Sequence, residues 1–111
     1  MRDVINLAGA LGGAHAARVT CNGRGDQYWR RYMQELLSLE APERNTLHRG
    51  MVNAFNTRFS RERAIHTDCT QEAVDAEAVF ASEGRRLSDG LAEHYFPGRA
   101  DGRVRGTINP G

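Results

Sequence analysis

The sequence of 111 residues contains no lysine, only two cysteines, three prolines and few aromatic side chains. Its fifteen basic residues are therefore all arginine, and with fourteen acidic residues they leave a formal charge of +1, which does not predict nucleic-acid binding from net charge. The absence of a C-x-x-C spacing argues against a structural zinc site. No apolar run reaches the roughly 20 residues that span a bilayer, so no transmembrane segment is predicted. The length and the apolar content of 40% instead fit one domain with its own core.

Apolar residues recur at helical spacing in four segments, and no alternating strand pattern is present. The first predicted helix covers about residues 4–19 and is rich in alanine and glycine. We expect Asp26 to cap the second helix, which ends near Glu40, and Thr70 to cap the fourth. Pro42 suits the first turn of the third helix, because proline sacrifices no hydrogen bond there. Four amphipathic helices with short connections predict an all-α fold, a four-helix antiparallel bundle.

Two features of the first segment and one of the last refine this prediction. Gly9 and Gly13 lie four residues apart, which predicts close approach of another helix on that face. Residues 14–16 have the small-x-small form of a signal-peptide cleavage site, but no clearly positive leader precedes the apolar run, so the segment is interpreted as a folded helix. Residues 97–111 are rich in glycine and arginine and predict a flexible tail, which leaves residues 1–96 as a single helical domain.

The two cysteines are expected to meet at one end of the bundle. In an up-down-up-down arrangement the first helix ends where the third ends and the fourth begins, so Cys21 and Cys69 share that pole. Such a pair forms a disulfide in an exported protein, or stays as free thiols in a reducing cytosol. The shared pole favours the disulfide, and a periplasmic or otherwise exported location follows as a hypothesis.

The order of several short motifs is similar to that of a known family. The residues that carry the likeness are Leu7–Gly12 with His15, Arg18 and Cys21, then Trp29, Arg30, Met33 and Leu37, then Asn53–Asn56 with Phe59, and finally Cys69, Glu83, Gly84 and Leu87. Over about residues 5–96 the chain resembles a small alphaproteobacterial family of exported, two-cysteine helical proteins whose function is unknown. The resemblance implies a precursor with an upstream signal peptide and a mature chain that begins at an added methionine. It carries over no catalytic residue.

Chemical motifs are sparse. No H-E-x-x-H pattern, nucleophile elbow or phosphate-binding glycine loop is present, so no catalytic residue and no cofactor is predicted. His15, on the apolar side of the first helix, is interpreted as a hydrogen-bonded core or boundary histidine. Asp26, His66 and Asp68 fall near the cysteine pole and could supply nitrogen and oxygen ligands to a divalent cation. Polar helix ends collect such residues anyway, which leaves this ligand pole as a weak candidate.

The charge pattern by segment is more informative than the total. Residues 42–66 carry a net charge of +3 and residues 70–95 a net charge of −4, which indicates either solvated helix faces or a dipolar surface that orients a protein partner. Trp29 adds an aromatic anchor to that surface if its ring is exposed, and otherwise packs inside. The predicted partner surface consists of Arg24, Trp29, Arg30, Arg58, Arg61 and Arg63. The leading hypothesis is a noncatalytic periplasmic accessory or protein-binding module; the alternative is a small-ligand or metal-binding exported protein, and an enzyme is the third possibility.

Overall fold

The computed structural model describes residues 2–95, and the side chains of residues 2–91. It contains the helices α1 (Arg2–Asn22), α2 (Tyr28–Glu40), α3 (Thr46–Ile65) and α4 (Gln71–Tyr95). No strand occurs within this part of the chain, and the predicted all-α four-helix bundle is confirmed. The tail predicted at 97–111 lies outside the described residues. None of the described helices is long and apolar enough to cross a membrane.

Helix α1 is the axis of the bundle. It packs against each of the other three helices, most extensively against α3 and α4. Every residue from 7 to 17 is buried, because the alanines and glycines on all sides of α1 let its neighbours surround it. Larger side chains of the other three helices, among them Met33, Met51 and Leu87, form one core cluster with Leu7 and Leu11 of α1.

The closest approach of two backbones is between α1 and α3. A Cβ atom built on Gly12 would lie 2.9 Å from both the Cα and the carbonyl carbon of Phe55, so only glycine fits there. Gly9 also faces α3, at an ordinary contact distance of 3.9 Å from the Ala54 oxygen, whereas Gly13 faces the Phe80 ring of α4. Gly9 and Gly13 therefore face two different helices, and the tightest contact with the backbone of another helix is at Gly12.

The ends of the helices follow local side-chain signals in most cases. Thr70 Oγ1 accepts a hydrogen bond from the Ala73 N–H at 3.2 Å, as predicted. Asp26 Oδ1 accepts one from the Tyr28 backbone N–H at 3.1 Å, but the N-cap residue of α2 is Gln27, one position later than predicted. The predicted start of the third helix at Pro42 is wrong. Helix α3 begins at Thr46, because the Asn45 side chain caps it by accepting from the His48 N–H at 3.0 Å.

A disulfide joins Cys21 and Cys69 at one pole, as predicted. It connects the end of α1 to the segment just before α4, so these two helices run in opposite directions. Near the same pole, Thr20 Oγ1 donates to the His66 backbone oxygen at 3.2 Å, which ties the end of α1 to the end of α3. The disulfide therefore reinforces a junction where three helices already meet.

Candidate functional site

A network of polar side chains fixes the start of α2 against α1 and α4. The Trp29 indole N–H donates to Glu77 Oε2 at 2.8 Å, and Arg18 Nη1 donates to the same oxygen at 3.3 Å. The Arg18 guanidinium also lies 4.7 Å from the centre of the Tyr28 ring. A half-buried carboxylate thus receives a charge-assisted bond and a neutral one, and it holds the Trp29 ring in one orientation. Glu77 is not among the residues singled out from the sequence.

Asp26 belongs to the same network. It accepts hydrogen bonds from Asn22 Nδ2 at 2.8 Å and from Arg18 Nε at 2.9 Å, in addition to the bond from the Tyr28 N–H. These hydrogen bonds lower the pKa of the Asp26 carboxyl below its ordinary value. The bond from Asn22 contributes most, followed by the Tyr28 N–H and then by Arg18. Its oxygens serve as a structural acceptor between α1 and α2.

The predicted ligand pole is not assembled as a metal site. Asp26 is engaged as described above, the His66 Nε2 atom lies 3.6 Å from a Glu62 oxygen, and Asp68 is exposed. Within the described residues, no group of three histidine, cysteine, aspartate or glutamate side chains is placed to hold a metal ion. The pole is occupied instead by the disulfide and by helix-end hydrogen bonds.

An aromatic groove runs between α2 and α4, with the axis helix as its floor. Its walls and floor enclose a volume of about 480 Å³ and are formed by Leu7, Leu11, Tyr28, Trp29, Tyr32, Ala81, Gly84, Arg85, Ser88 and Asp89. The Trp29 ring packs edge-on to Tyr28 with centroids 4.8 Å apart, and its centroid is 5.8 Å from that of Tyr32. Tyr28 and Tyr32 nevertheless remain 49% and 48% exposed. The groove combines an apolar floor, an aromatic wall and a polar rim.

A second depression, the His15 cavity, lies between α2 and α3. Its volume is about 330 Å³; its polar lining is His15, Arg30, Gln34 and Asn56, and its apolar lining is Met33, Leu37, Val52, Phe55 and Phe59. The His15 ring is stacked on Phe59 at 5.1 Å and tilted against Phe55 at 5.7 Å. Burial, followed by the positive charge of Arg30, lowers the pKa of His15 below 6.5, which favours the neutral ring at pH 7.

His15 is a core histidine, as predicted, but it is not fully hydrogen-bonded. It is 6% exposed, and its Nδ1 atom has no hydrogen-bond partner among the described residues. The sequence could place this ring on an apolar helix face. The sequence could not show that Nδ1 would receive no hydrogen-bond partner from α2 or α3.

The predicted arginine surface divides among several places. Arg58 and Arg61 line a groove between α3 and α4, where the Arg58 guanidinium lies 5.3 Å from the Phe80 ring centre. Arg30 lines the His15 cavity, and the Arg63 guanidinium lies 5.9 Å from the centre of the Phe59 ring. Arg24 is exposed in the loop before α2. Of the six predicted residues, Trp29 alone lines the aromatic groove.

Comparison with known proteins places the chain in a family. Residues 1–95 match the family described as "Protein of unknown function (DUF2385)", and the chain belongs to that family. No curated protein and no solved structure matches it. The expected membership of a family of unknown function is thereby confirmed.

Proposed function

We propose that this member of the DUF2385 family is a noncatalytic accessory protein, exported by a bacterium, that binds a partner protein through the aromatic groove. The observation that carries the proposal is the half-exposure of Tyr28 and Tyr32 beside a Trp29 ring fixed by Glu77. Tyrosine and tryptophan are enriched among the residues that dominate protein interfaces. They offer a large contact area at low cost in conformational entropy when their rings are already held.

The shape of the groove suits a segment that inserts an apolar side chain. Leu7 and Leu11 form the floor, and Arg85 and Asp89 on the α4 side provide charges of both signs at the rim. An apolar centre surrounded by a polar rim is the usual anatomy of a protein interface. A partner that presents a hydrophobic anchor between polar residues, as an amphipathic helix does, matches this surface.

The noncatalytic part of the proposal rests on the chemistry of the lining. Ser88 is its one hydroxyl besides the two tyrosines, and neither histidine nor cysteine is present in the described lining of the groove. A serine nucleophile needs a base within hydrogen-bond reach, and the groove supplies none of the usual type.

Export is proposed from the disulfide. The Cys21–Cys69 bond closes a loop with a sequence separation of 48 residues. Disulfides of this structural kind persist in oxidising compartments and are rare in a reducing cytosol. Alkylation of intact source cells, followed by mass measurement, tests this point: we expect both cysteines to be protected until a reductant is added, and two free thiols in the protein from these cells would contradict export.

Site-specific photocrosslinking in the source organism tests the binding function. A photoreactive residue at position 32 should capture one protein that the same residue at Val79 does not capture, since Val79 is exposed on α4 outside the aromatic groove. The captured protein, once purified, should bind the wild-type chain, and Tyr32→Ala should weaken binding by at least about tenfold. If position 32 captures nothing that position 79 does not, or if Tyr32→Ala binds the purified protein equally well, the proposal is wrong.

The alternative, a small-ligand-binding protein, is favoured by a different observation. His15, whose buried Nδ1 atom has no hydrogen-bond partner among the described residues, lines a cavity between α2 and α3. This cavity is separate from the aromatic groove, so the two functions can be tested independently.

A further inference from the structure

The groove between α3 and α4 is bordered by two helices of opposite charge. Residues 42–66, which include α3, carry a net charge of +3, and residues 70–95, which include α4, carry −4. Arg58 and Arg61 line the groove from α3, and Glu83 lines it from α4. Among the described residues, none of these three side chains takes part in an ion pair. The opposite charges on the two walls are therefore open to pairing with another molecule.

Each wall also carries an exposed aliphatic residue beside its charges. Ile65 is 61% exposed and follows Arg61 by four residues, which places both on one side of α3. Val79 is 63% exposed and lies four residues from both Asp75 and Glu83, which places these three on one side of α4. Apolar residues next to polar and charged ones are the usual composition of a protein interface.

The two helices run in opposite directions from the cysteine pole, where α3 ends at Ile65 and α4 begins at Gln71. Arg61 lies four residues before that end, and Asp75 lies four residues after that start, so both are about one helical turn from the pole. Both side chains are exposed. Asp75 accepts a hydrogen bond from the neutral Gln71 side chain at 2.9 Å, and no ion pair joins it to Arg61.

A second copy of this chain complements such a face. When two copies meet around a two-fold axis that runs along the groove, α3 of each copy lies opposite α4 of the other. Rotation about this axis keeps each residue at the same distance from the pole, so Arg61 of one copy faces Asp75 of the other. A two-fold axis across the groove would instead place α3 on α3 and α4 on α4, where like charges repel.

We infer that the α3–α4 face binds a second copy of this chain in a symmetric dimer, in which Arg61 of each copy pairs with Asp75 of the other while Ile65 and Val79 are removed from water. The 20 residues of α3 extend over about 30 Å, and two adjacent helices are about 20 Å wide. The face thus covers about 600 Å² per copy, or about 1,200 Å² in total, which is the lower end of the range for specific interfaces. A reversible dimer is expected, and it leaves the aromatic groove between α2 and α4 open.

Sedimentation velocity of the full-length, disulfide-intact chain tests the dimer. We expect the dimeric fraction to rise with protein concentration up to about 0.5 mM, since interfaces at the lower end of the size range are often weak. Raising the ionic strength from about 0.05 to 0.5 M should reduce it, because salt screens exposed charges.

Charge reversal on the two walls supplies the decisive comparison. Arg61→Glu and Asp75→Arg should each weaken dimerisation at least about tenfold, because like charges then face each other. An equimolar mixture of these two variants should recover the dimer, since every reversed charge meets its opposite on the other copy. Neither variant alone contains that pairing, so a loss of folding cannot imitate the recovery.

Arg24→Glu is the matched control, because it makes the same change of charge at an exposed residue in the loop before α2. Alone it should leave the dimer unchanged, and mixed with Asp75→Arg it should restore nothing. The proposed interface is wrong if the wild-type chain stays monomeric at about 0.5 mM. It is equally wrong if the mixture of Arg61→Glu and Asp75→Arg forms no more dimer than the mixture with Arg24→Glu.

Discussion

Replacing Gly12 by alanine should destabilise the bundle, although alanine is the better helix former. The new methyl group would lie 2.9 Å from two backbone atoms of Phe55, whereas carbon atoms make favourable contact at about 3.5–4.0 Å. Backbone atoms cannot rotate away as a side chain can, so α1 and α3 must separate by several tenths of an ångström or more. That separation loosens the contacts of Met51 and Phe55 with the axis helix.

The magnitude is a balance of two effects. Overpacking a core costs about 1–3 kcal/mol, and a clash with backbone belongs at the upper end or beyond. The higher helix propensity of alanine relative to glycine stabilises the variant by up to about 1 kcal/mol and offsets part of that cost. We therefore expect a net loss of about 2 kcal/mol or more in the free energy of unfolding, which corresponds to a fall in Tm of about 8 °C or more.

Two other glycines provide controls in the same assay, urea unfolding of the disulfide-intact chain followed by circular dichroism. Apart from the backbone of its own helix, no atom of the described residues lies within 4 Å of a Cβ built on Gly90 in α4, so Gly90→Ala should gain up to about 1 kcal/mol. Gly9→Ala should be neutral or stabilising, because the Ala54 oxygen lies at an ordinary 3.9 Å. If Gly12→Ala proves as stable as Gly90→Ala, the close packing of α1 on α3 is not what holds these helices together.

Three further predictions concern the cysteine pole, the Trp29 anchor and His15. The double variant Cys21→Ala/Cys69→Ala should lose about 4 kcal/mol of unfolding free energy in urea, because it removes a cross-link between residues 48 apart in sequence. A loss below about 1 kcal/mol would show that the disulfide does not stabilise the fold in this way. Trp29→Phe removes the donor to Glu77 and should cost about 1–3 kcal/mol by the same circular dichroism assay, whereas Tyr32→Phe, at a half-exposed ring, should cost less. The His15 ring should titrate by NMR with a midpoint below pH 6.5, and a midpoint at or above 6.5 would refute the burial argument. Because the unfolded chain then binds a proton at a higher pH than the folded chain does, the contribution of His15 to stability falls as the pH drops below about 6.5.

Local chemistry explains which parts of the fold were predictable from sequence. Thr70 caps α4 because its side-chain oxygen reaches a backbone N–H three residues ahead, whatever the rest of the protein does. Asp26 binds the Tyr28 N–H in a similar way, but from the position before Gln27, the N-cap of α2. Two start signals compete before α3, and the cap at Asn45 prevails over Pro42 because its side chain satisfies the His48 N–H. Cys21 and Cys69 were paired correctly because the order of four helices fixes which ends meet.

Features that depend on which helices surround a residue were not predictable. Periodicity assigns a helix one apolar face, but α1 is buried on every side, and Gly12 stands out from its neighbouring glycines only when Phe55 is opposite it. The same holds for the cavity: His15 belongs to α1 and Arg30 to α2, and only the packing of α2 on α1 brings them to one site.

The proposed sites result from the small side chains of the axis helix α1, whose buried residues are mostly alanine and glycine. Because α2, α3 and α4 pack mainly on α1 and not on one another, depressions remain between them. Near the disulfide, long side chains bridge the space between α2 and α4, as the bond from Trp29 to Glu77 does. Further along, the axis helix forms the floor of the depressions and the side chains of the outer helices form their walls. Larger residues on α1 would push the outer helices away from their anchoring bonds, so the small residues that stabilise the core also determine the depth and lining of the grooves.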